Sequence, residues 1–124
     1  MRILVVDDDD AICLTLHTIL STQKHEVTCV RDGAGGVAAC AGADFDVALV
    51  DWTLPDISGL EVMAQIRRRS PRTRVFISTG QDAFAVSQAL GEDQADGIIT
   101  KPFAVKQLLE TIAALAPVEP AEAA

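Results

Sequence analysis

Ile3-Leu4-Val5-Val6-Asp7-Asp8-Asp9-Asp10 is a run of four apolar residues that ends abruptly in four aspartates. Four consecutive apolar residues without polar alternation read as a strand buried on both faces, the kind parallel sheets use. The acids that follow suit a helix start, because aspartate caps orphan amides and favours the positive end of the helix dipole. Asp9 or Asp10 should therefore open a helix. That helix is expected over residues 11–21, with Ile12, Leu16, Ile19 and Leu20 on its inner stripe. The unit of buried strand followed by helix then recurs. Further strands are expected at 26–30, 47–50, 75–78 and 97–100, and helices at 34–41, 60–69, 82–90 and 104–116. The third helix carries Leu60, Met63 and Ile66 as its stripe, and the last carries Val105, Leu108, Leu109, Ile112 and Leu115. Asp32-Gly33, Ser70-Pro71, Thr79-Gly80, Gly91 and Pro117 punctuate the series.

Five such units imply an α/β fold, a doubly wound five-stranded parallel sheet with helices on both faces. Right-handed crossovers and the flavodoxin-like strand order 2-1-3-4-5 follow as the leading expectation. In that order the first and third strands are neighbours at a topological switch point, and ligands bind beyond the carboxyl ends of the strands. The residues just after the strands should then form one site: Asp7, Asp8, Asp51, Thr79 and Lys101.

Composition agrees with one domain and no more. The chain has 124 residues, 49% hydrophobic and 23% charged, with 18 acids against 10 bases for a net charge of −8. Such a charge opposes nonspecific binding to nucleic acid or to an anionic membrane. No apolar run approaches the ~18 residues of a membrane span, and no secretory signal precedes the first strand. Cys13, Cys29 and Cys40 are odd in number and lack CxxC spacing, which argues against a disulfide framework or a zinc site and suits a reducing cytoplasm. Arg67, Arg68, Arg69, Arg72 and Arg74 supply half of the bases and read as a solvated helix end, favoured by the dipole. His17 and His25 read as surface or half-buried residues. The domain is expected over residues 1–117, with 118–124, rich in Pro, Glu and Ala, as a flexible tail or the start of a linker.

Three carboxylates converging on one crevice repel one another. Two unit charges ~4 Å apart interact by roughly 4 kcal/mol at an effective dielectric of ~20. A divalent cation removes the conflict, and hard oxygen donors without nearby His or Cys favour Mg²⁺, with Mn²⁺ as a substitute. Lys101 is expected on the far side of Asp51 from Asp7 and Asp8. Metal and ammonium would then flank a space suited to phosphoryl oxygens, with Thr79 adding a hydroxyl. This is the equipment of phosphoryl transfer, and Asp51, lying between the two charges, is the natural nucleophile.

With these residues in place, the chain resembles the receiver domain of two-component response regulators. The matching segments are Val5-Val6-Asp7-Asp8, Val50-Asp51-Trp52-Thr53-Leu54-Pro55 with Gly59, Ser78-Thr79-Gly80, and Lys101-Pro102-Phe103, spread over about residues 2–116. The resemblance implies that Asp51 is the phosphoacceptor, charged by a phosphohistidine of a sensor histidine kinase or a histidine phosphotransfer protein. Asp8 would be a direct Mg²⁺ ligand, Asp7 would act through water, and Thr53 would lend its backbone carbonyl. Lys101 would pair with the phosphoryl group, Pro102 would hold the turn through a cis peptide, and Thr79 would be the hydroxyl that moves toward the phosphate. The reading surface, for an output domain or a downstream protein, would be the fourth helix, fifth strand and fifth helix. Slow autodephosphorylation would reset it, with Thr53 and Gln81 tuning the lifetime. One departure stands out: Ile98 holds the place of the family's aromatic switch residue, and the chain has no Tyr.

Asp7-Asp8-Asp9 also resembles the DxD motif of haloacid-dehalogenase-type phosphatases, with Asp7 as nucleophile and Asp9 as general acid. That alternative leaves the Asp51 loop unexplained and lacks an acidic pair after Lys101. A flavin-binding protein of the same topology would set its phosphate against aspartates rather than amide donors.

Overall fold

The computed structural model describes residues 1–80, 82–92, 95–101 and 105–114. Its elements alternate: β1 (Arg2–Val6), α1 (Asp10–Thr22), β2 (Glu26–Val30), α2 (Gly33–Gly42), β3 (Val47–Asp51), α3 (Gly59–Arg69), β4 (Arg74–Thr79), α4 (Ala83–Leu90), β5 (Gly97–Thr100) and α5 (Val105–Ala114). The sheet is parallel throughout, in the order β2-β1-β3-β4-β5, as the alternation of strands and helices predicted.

Strand periodicity sorts the core into two layers. Ile3, Val5, Val47, Leu49 and Phe76 face α1 and α5, meeting Cys13, Leu16 and Leu20 from one and Leu108 and Ile112 from the other. Leu4, Val6, Ala48, Val50, Val75 and Ile77 face the opposite side, against Val37, Val62, Met63, Ile66, Val86 and Leu90. The inner strands are buried along nearly their whole length, which is why their sequences read as unbroken apolar runs. At the edges, β2 and β5 are only half-buried. β5, at the sheet margin, has one neighbour instead of two.

Helix ends follow local capping chemistry. Asp9, rather than Asp10, caps α1, accepting from Ala11 N at 2.9 Å and from Ile12 N at 3.4 Å. Ser58 caps α3, and Arg67, Arg68 and Arg69 occupy its last turn, where cations favour the dipole. The buried residues of α3 are Gly59, Val62, Met63 and Ile66, so Met63 and Ile66 of the expected stripe are buried while Leu60 is only half-buried and Val62 joins them. Cys13 and Cys40 are buried, Cys29 is half-buried, and all three are free. The expected tail at 118–124, the end of the last helix beyond residue 114, and Gln81, Pro102 and Phe103 lie outside the described residues.

Candidate functional site

The register of the sheet builds the site. Val6 pairs with Val50, so Asp7 lies one step further on, beside Asp51. Asp51 pairs with Ser78, and Thr79 pairs with Thr100, the residue before Lys101. Backbone hydrogen bonds extend the alignment past the strand ends: Asp7 N donates to Val30 O at 3.0 Å, Trp52 N to Ser78 O at 2.8 Å and Lys101 N to Thr79 O at 2.7 Å. Asp7, Asp8 and Asp51 thereby bring carboxylate oxygens within 4.8 Å of one another. Asp7 and Asp51 are 2% and 7% exposed, whereas Asp8 is open to solvent. Thr79 is buried at the end of β4, and the half-buried Trp52 packs against the core beneath the loop. Ile98 packs, half-buried, against that same core layer.

Lys101 departs from expectation. It does not stand opposite Asp7 across the crevice. Its Nζ donates to Asp7 Oδ2 at 2.8 Å and lies 3.4 Å from Asp51 Oδ2. The long apolar stem lets the ammonium reach the more deeply buried carboxylate, where an unpaired charge would cost most. Asp7's other oxygen, Oδ1, accepts from Asp9 N at 3.0 Å, and Asp51 Oδ1 accepts from Thr53 N at 3.3 Å.

These surroundings set the charge balance. Burial and the neighbouring Asp7 push the Asp51 carboxyl above its ordinary range, against the pull of Lys101 and the Thr53 amide. Burial works against a charged Lys101, but the Asp7 and Asp51 carboxylates outweigh it and hold the ammonium above the usual lysine value. Ionised Asp51 therefore destabilises the fold. As pH rises the unfolded chain loses this proton first, so the penalty begins at the unfolded carboxylate pKa and is complete above the raised folded one. In chelator-treated protein near neutral pH, Asp51→Asn should melt at a higher temperature than the parent, and the gap should close on acidification below the carboxylate range. Thermal melts across pH measure this, and equal melting near neutrality would contradict the assignment.

Three carboxylates against one ammonium leave the rim net negative. The donors are all hard oxygens, two of them held nearly out of water by the sheet. The residues present thus fit a divalent cation of the Mg²⁺ or Ca²⁺ kind better than zinc.

The loop after β3 is held tightly at its far end. A Cβ on Gly59 would lie 2.6 Å from Asp51 O and 2.9 Å from Trp52 Cα, both backbone atoms at the start of the loop. Neither can turn aside as a flexible side chain would. Gly59→Ala should cost about 1–3 kcal/mol, read by urea unfolding, as overpacking does elsewhere.

Two residues at this end of the molecule went unmarked in the sequence. Ser58 accepts from Glu61 N at 3.1 Å, and its position ahead of a helical stripe was a readable signal. Asp56 accepts from Gly33 N at 2.8 Å and Ala34 N at 2.9 Å, joining the loop to α2. Nothing local in the sequence announces that contact.

Comparison with known proteins converges on one family. The response regulator receiver domain model matches residues 3–113. The transcriptional regulatory protein TcrA of Mycobacterium tuberculosis is 37% identical over 115 residues, 93% of this chain and 46% of that protein. A CheY-like response regulator receiver domain protein from Methanospirillum hungatei JF-1 has the same fold at a TM-score of 0.82 and 33% identity, covering 91% of this chain and 90% of that one. The response regulator TrrA of Thermotoga maritima, solved in complex with Mg(2+)-BeF, gives a TM-score of 0.82 at 28% identity over 92% of this chain and 97% of that one. This chain spans about half the length of the curated relatives it matches. None of these relatives supports the phosphatase alternative, and its would-be acid, Asp9, is engaged in capping α1.

Proposed function

The chain belongs to the response regulator receiver domain family, and from that premise we propose that Asp51 accepts a phosphoryl group from a phosphohistidine. Receiver domains of this family are signalling modules phosphorylated by histidine kinases. The donor here is proposed to be a sensor histidine kinase or a histidine phosphotransfer protein. The observation that carries the reading is the convergence of Asp51 with Asp7, Asp8 and Lys101 at one rim of the sheet.

In the transfer, an Asp51 oxygen attacks phosphorus as the bond to the donor imidazole nitrogen breaks, and the electron pair leaves with the imidazole. Lys101, already 3.4 Å from Asp51, favours the ionised acceptor and stands ready to pair with the transferred oxygens. Thr79 is assigned as the hydroxyl that turns toward the phosphoryl group. Asp8, Asp51 and the Thr53 carbonyl are proposed to hold Mg²⁺, or Mn²⁺ in its place, with Asp7 acting through water; Asp7's own oxygens are engaged by Asp9 N and Lys101. The ion would supply charge that lets an anionic donor approach an acidic rim.

The change is proposed to be read on the α4-β5-α5 face by an output domain or downstream protein, and reset by slow autodephosphorylation. Ile98, in the middle of that face's strand, cannot act by an aromatic flip, so readout rests on Thr79 and backbone shifts. A cytoplasmic location is proposed. No described helix is long and apolar enough to cross a membrane. The receiver unit is proposed to span residues 1–117, without direct nucleic-acid contact of its own.

Incubation with a small acyl phosphate and Mg²⁺ should add one base-labile phosphoryl group, mapped to Asp51 by mass spectrometry. A chelator should prevent the addition, and labelling that persists in its presence would overturn the metal assignment.

A further inference from the structure

We infer that Asp56 is a positioning residue for the phosphoacceptor loop: its carboxylate grips two free amides at the N-terminus of α2 and so fixes the backbone that sets Thr53 beside Asp51. The inference rests on the proposed roles of Asp8, Asp51 and Thr53.

The loop of residues 52–58 is anchored at its ends by Trp52 N on Ser78 O, by Gly59 N on Trp52 O at 3.1 Å and by the Ser58 cap. Thr53 lies in the stretch between, exposed, with its amide on Asp51 Oδ1. Leu54, next to it, packs half-buried against the core, and a polar tie comes from α2. The first amides of a helix have no partner within it and must find one elsewhere. Asp32, the N-cap of α2, serves Gly35 N at 2.6 Å and leaves Gly33 N and Ala34 N to others. Asp56 takes both, one with each oxygen, at 2.8 and 2.9 Å. Paired charge-assisted bonds at the positive end of a helix constrain geometry more than a lone surface contact does. These amides also hold the Asp56 carboxyl below its usual range, as such bonds should.

A second contact, apolar and independent, acts at the next residue. A Cβ on Gly33 would overlap Ile57 and lie 2.7 Å from Val62 Cγ2. The missing side chain lets Ile57 lie directly on the helix end. Residues 56 and 57 are thus pinned to α2 by a polar and a packing contact, within four residues of Thr53. By contrast, a simple second cap for α2 would have no reason to affect the Asp51 rim.

The two roles separate experimentally. Asp32→Ala removes a cap from the same helix without touching the loop, whereas Asp56→Ala removes the tie and Asp56→Asn keeps one acceptor. In the chelator-treated chain of residues 1–124, Asp56→Ala should reduce hydrogen-exchange protection of the Thr53 amide, and Asp32→Ala should leave it in place. Mg²⁺ titration, followed by Trp52 fluorescence, should show affinity weakened roughly 3–10-fold in Asp56→Ala, somewhat below the effect of losing a direct partner of a metal ligand. Asp56→Asn should fall between, and Asp32→Ala should stay within twofold of the parent. Equal loss in the Asp32 and Asp56 variants, or unchanged Thr53 protection in Asp56→Ala, would overturn the inference. Asp8→Asn titrated alongside tests the underlying metal reading by itself. If that change leaves Mg²⁺ binding intact, the metal reading fails, while the exchange data still decide the role of Asp56.

Discussion

Asp51→Asn is expected to take up no detectable phosphoryl group from an acyl phosphate and Mg²⁺, a loss of more than about 10²-fold in rate. The substitution preserves size and leaves the β3 backbone pairing with β4 unchanged. It removes only the anionic oxygen, and an amide oxygen whose electron pair is delocalised is a poor nucleophile. Neither carboxylate beside it, Asp7 or Asp8, is placed to replace it. Asp7 is 2% exposed, and its oxygens are engaged by Asp9 N and by Lys101. Asp8 is exposed but lies at the proposed metal rather than beside Lys101. Asp7→Asn, by contrast, should slow labelling without abolishing it, since it weakens the charge framework and leaves the acceptor. Intact-protein mass spectrometry of the two variants separates these outcomes. Label lost with Asp7→Asn and retained with Asp51→Asn would reverse the assignment.

The same substitution is expected to raise stability in chelator-treated protein while it abolishes labelling, and the two expected effects have one cause. A carboxylate buried beside another carboxylate is an unfavourable arrangement, kept where chemistry needs it. The sequence shows this conflict because strand ends in a parallel sheet are predictable. Ile3–Val6 and Val47–Val50 are continuous apolar runs, each followed at once by an acid. Once the order β2-β1-β3-β4-β5 is inferred, those acids must be neighbours. Asp9 was legible as a cap because capping is local, and Arg68 and Arg69, exposed at the end of α3, were legible for the same reason, whereas the half-buried Arg67 pairs with Asp96 at 3.4 Å across the fold. The expected strand limits fell short at Asp51 and Thr79, which pair in the ladder although their side chains serve the site. Side-chain reach was not legible. Lys101 bonding Asp7 joins residues 94 positions apart, and Asp56 gripping Gly33 and Ala34 spans 23 and 22. Such contacts depend on how far a flexible stem extends, or how closely a loop lies on a helix end, and neither leaves a period in the chain.

Lys101→Ala should expose the cost of the acidic rim most directly. Breaking a buried pair by removing one partner commonly costs ~3–5 kcal/mol, because the other charge is stranded. Here the Lys101 side chain is 20% exposed, and Asp51 can relieve the strain by binding a proton, so a loss of about 1–3 kcal/mol in chelator is expected. The pH dependence has a definite sign. In the parent, the raised Lys101 pKa contributes stability that is present below the unfolded lysine value and disappears as pH climbs through the folded one. The variant should lack that alkaline fall. Its deficit near neutrality should narrow on acidification, as Asp7 and Asp51 become protonated and no longer need the ammonium. Mg²⁺ should stabilise the variant more than the parent, since an added cation then meets two carboxylates with no ammonium between them. Lys101→Arg should restore much of the stability by keeping the charge, yet respond poorly to phosphorylation, because a planar fork does not place its donors where a single ammonium does. Urea unfolding with and without Mg²⁺, across pH, reads all of these together. An alanine variant as stable as the parent in chelator would mean that Asp7 and Asp51 tolerate each other unaided, and the ammonium would then have to be assigned to the phosphoryl group alone.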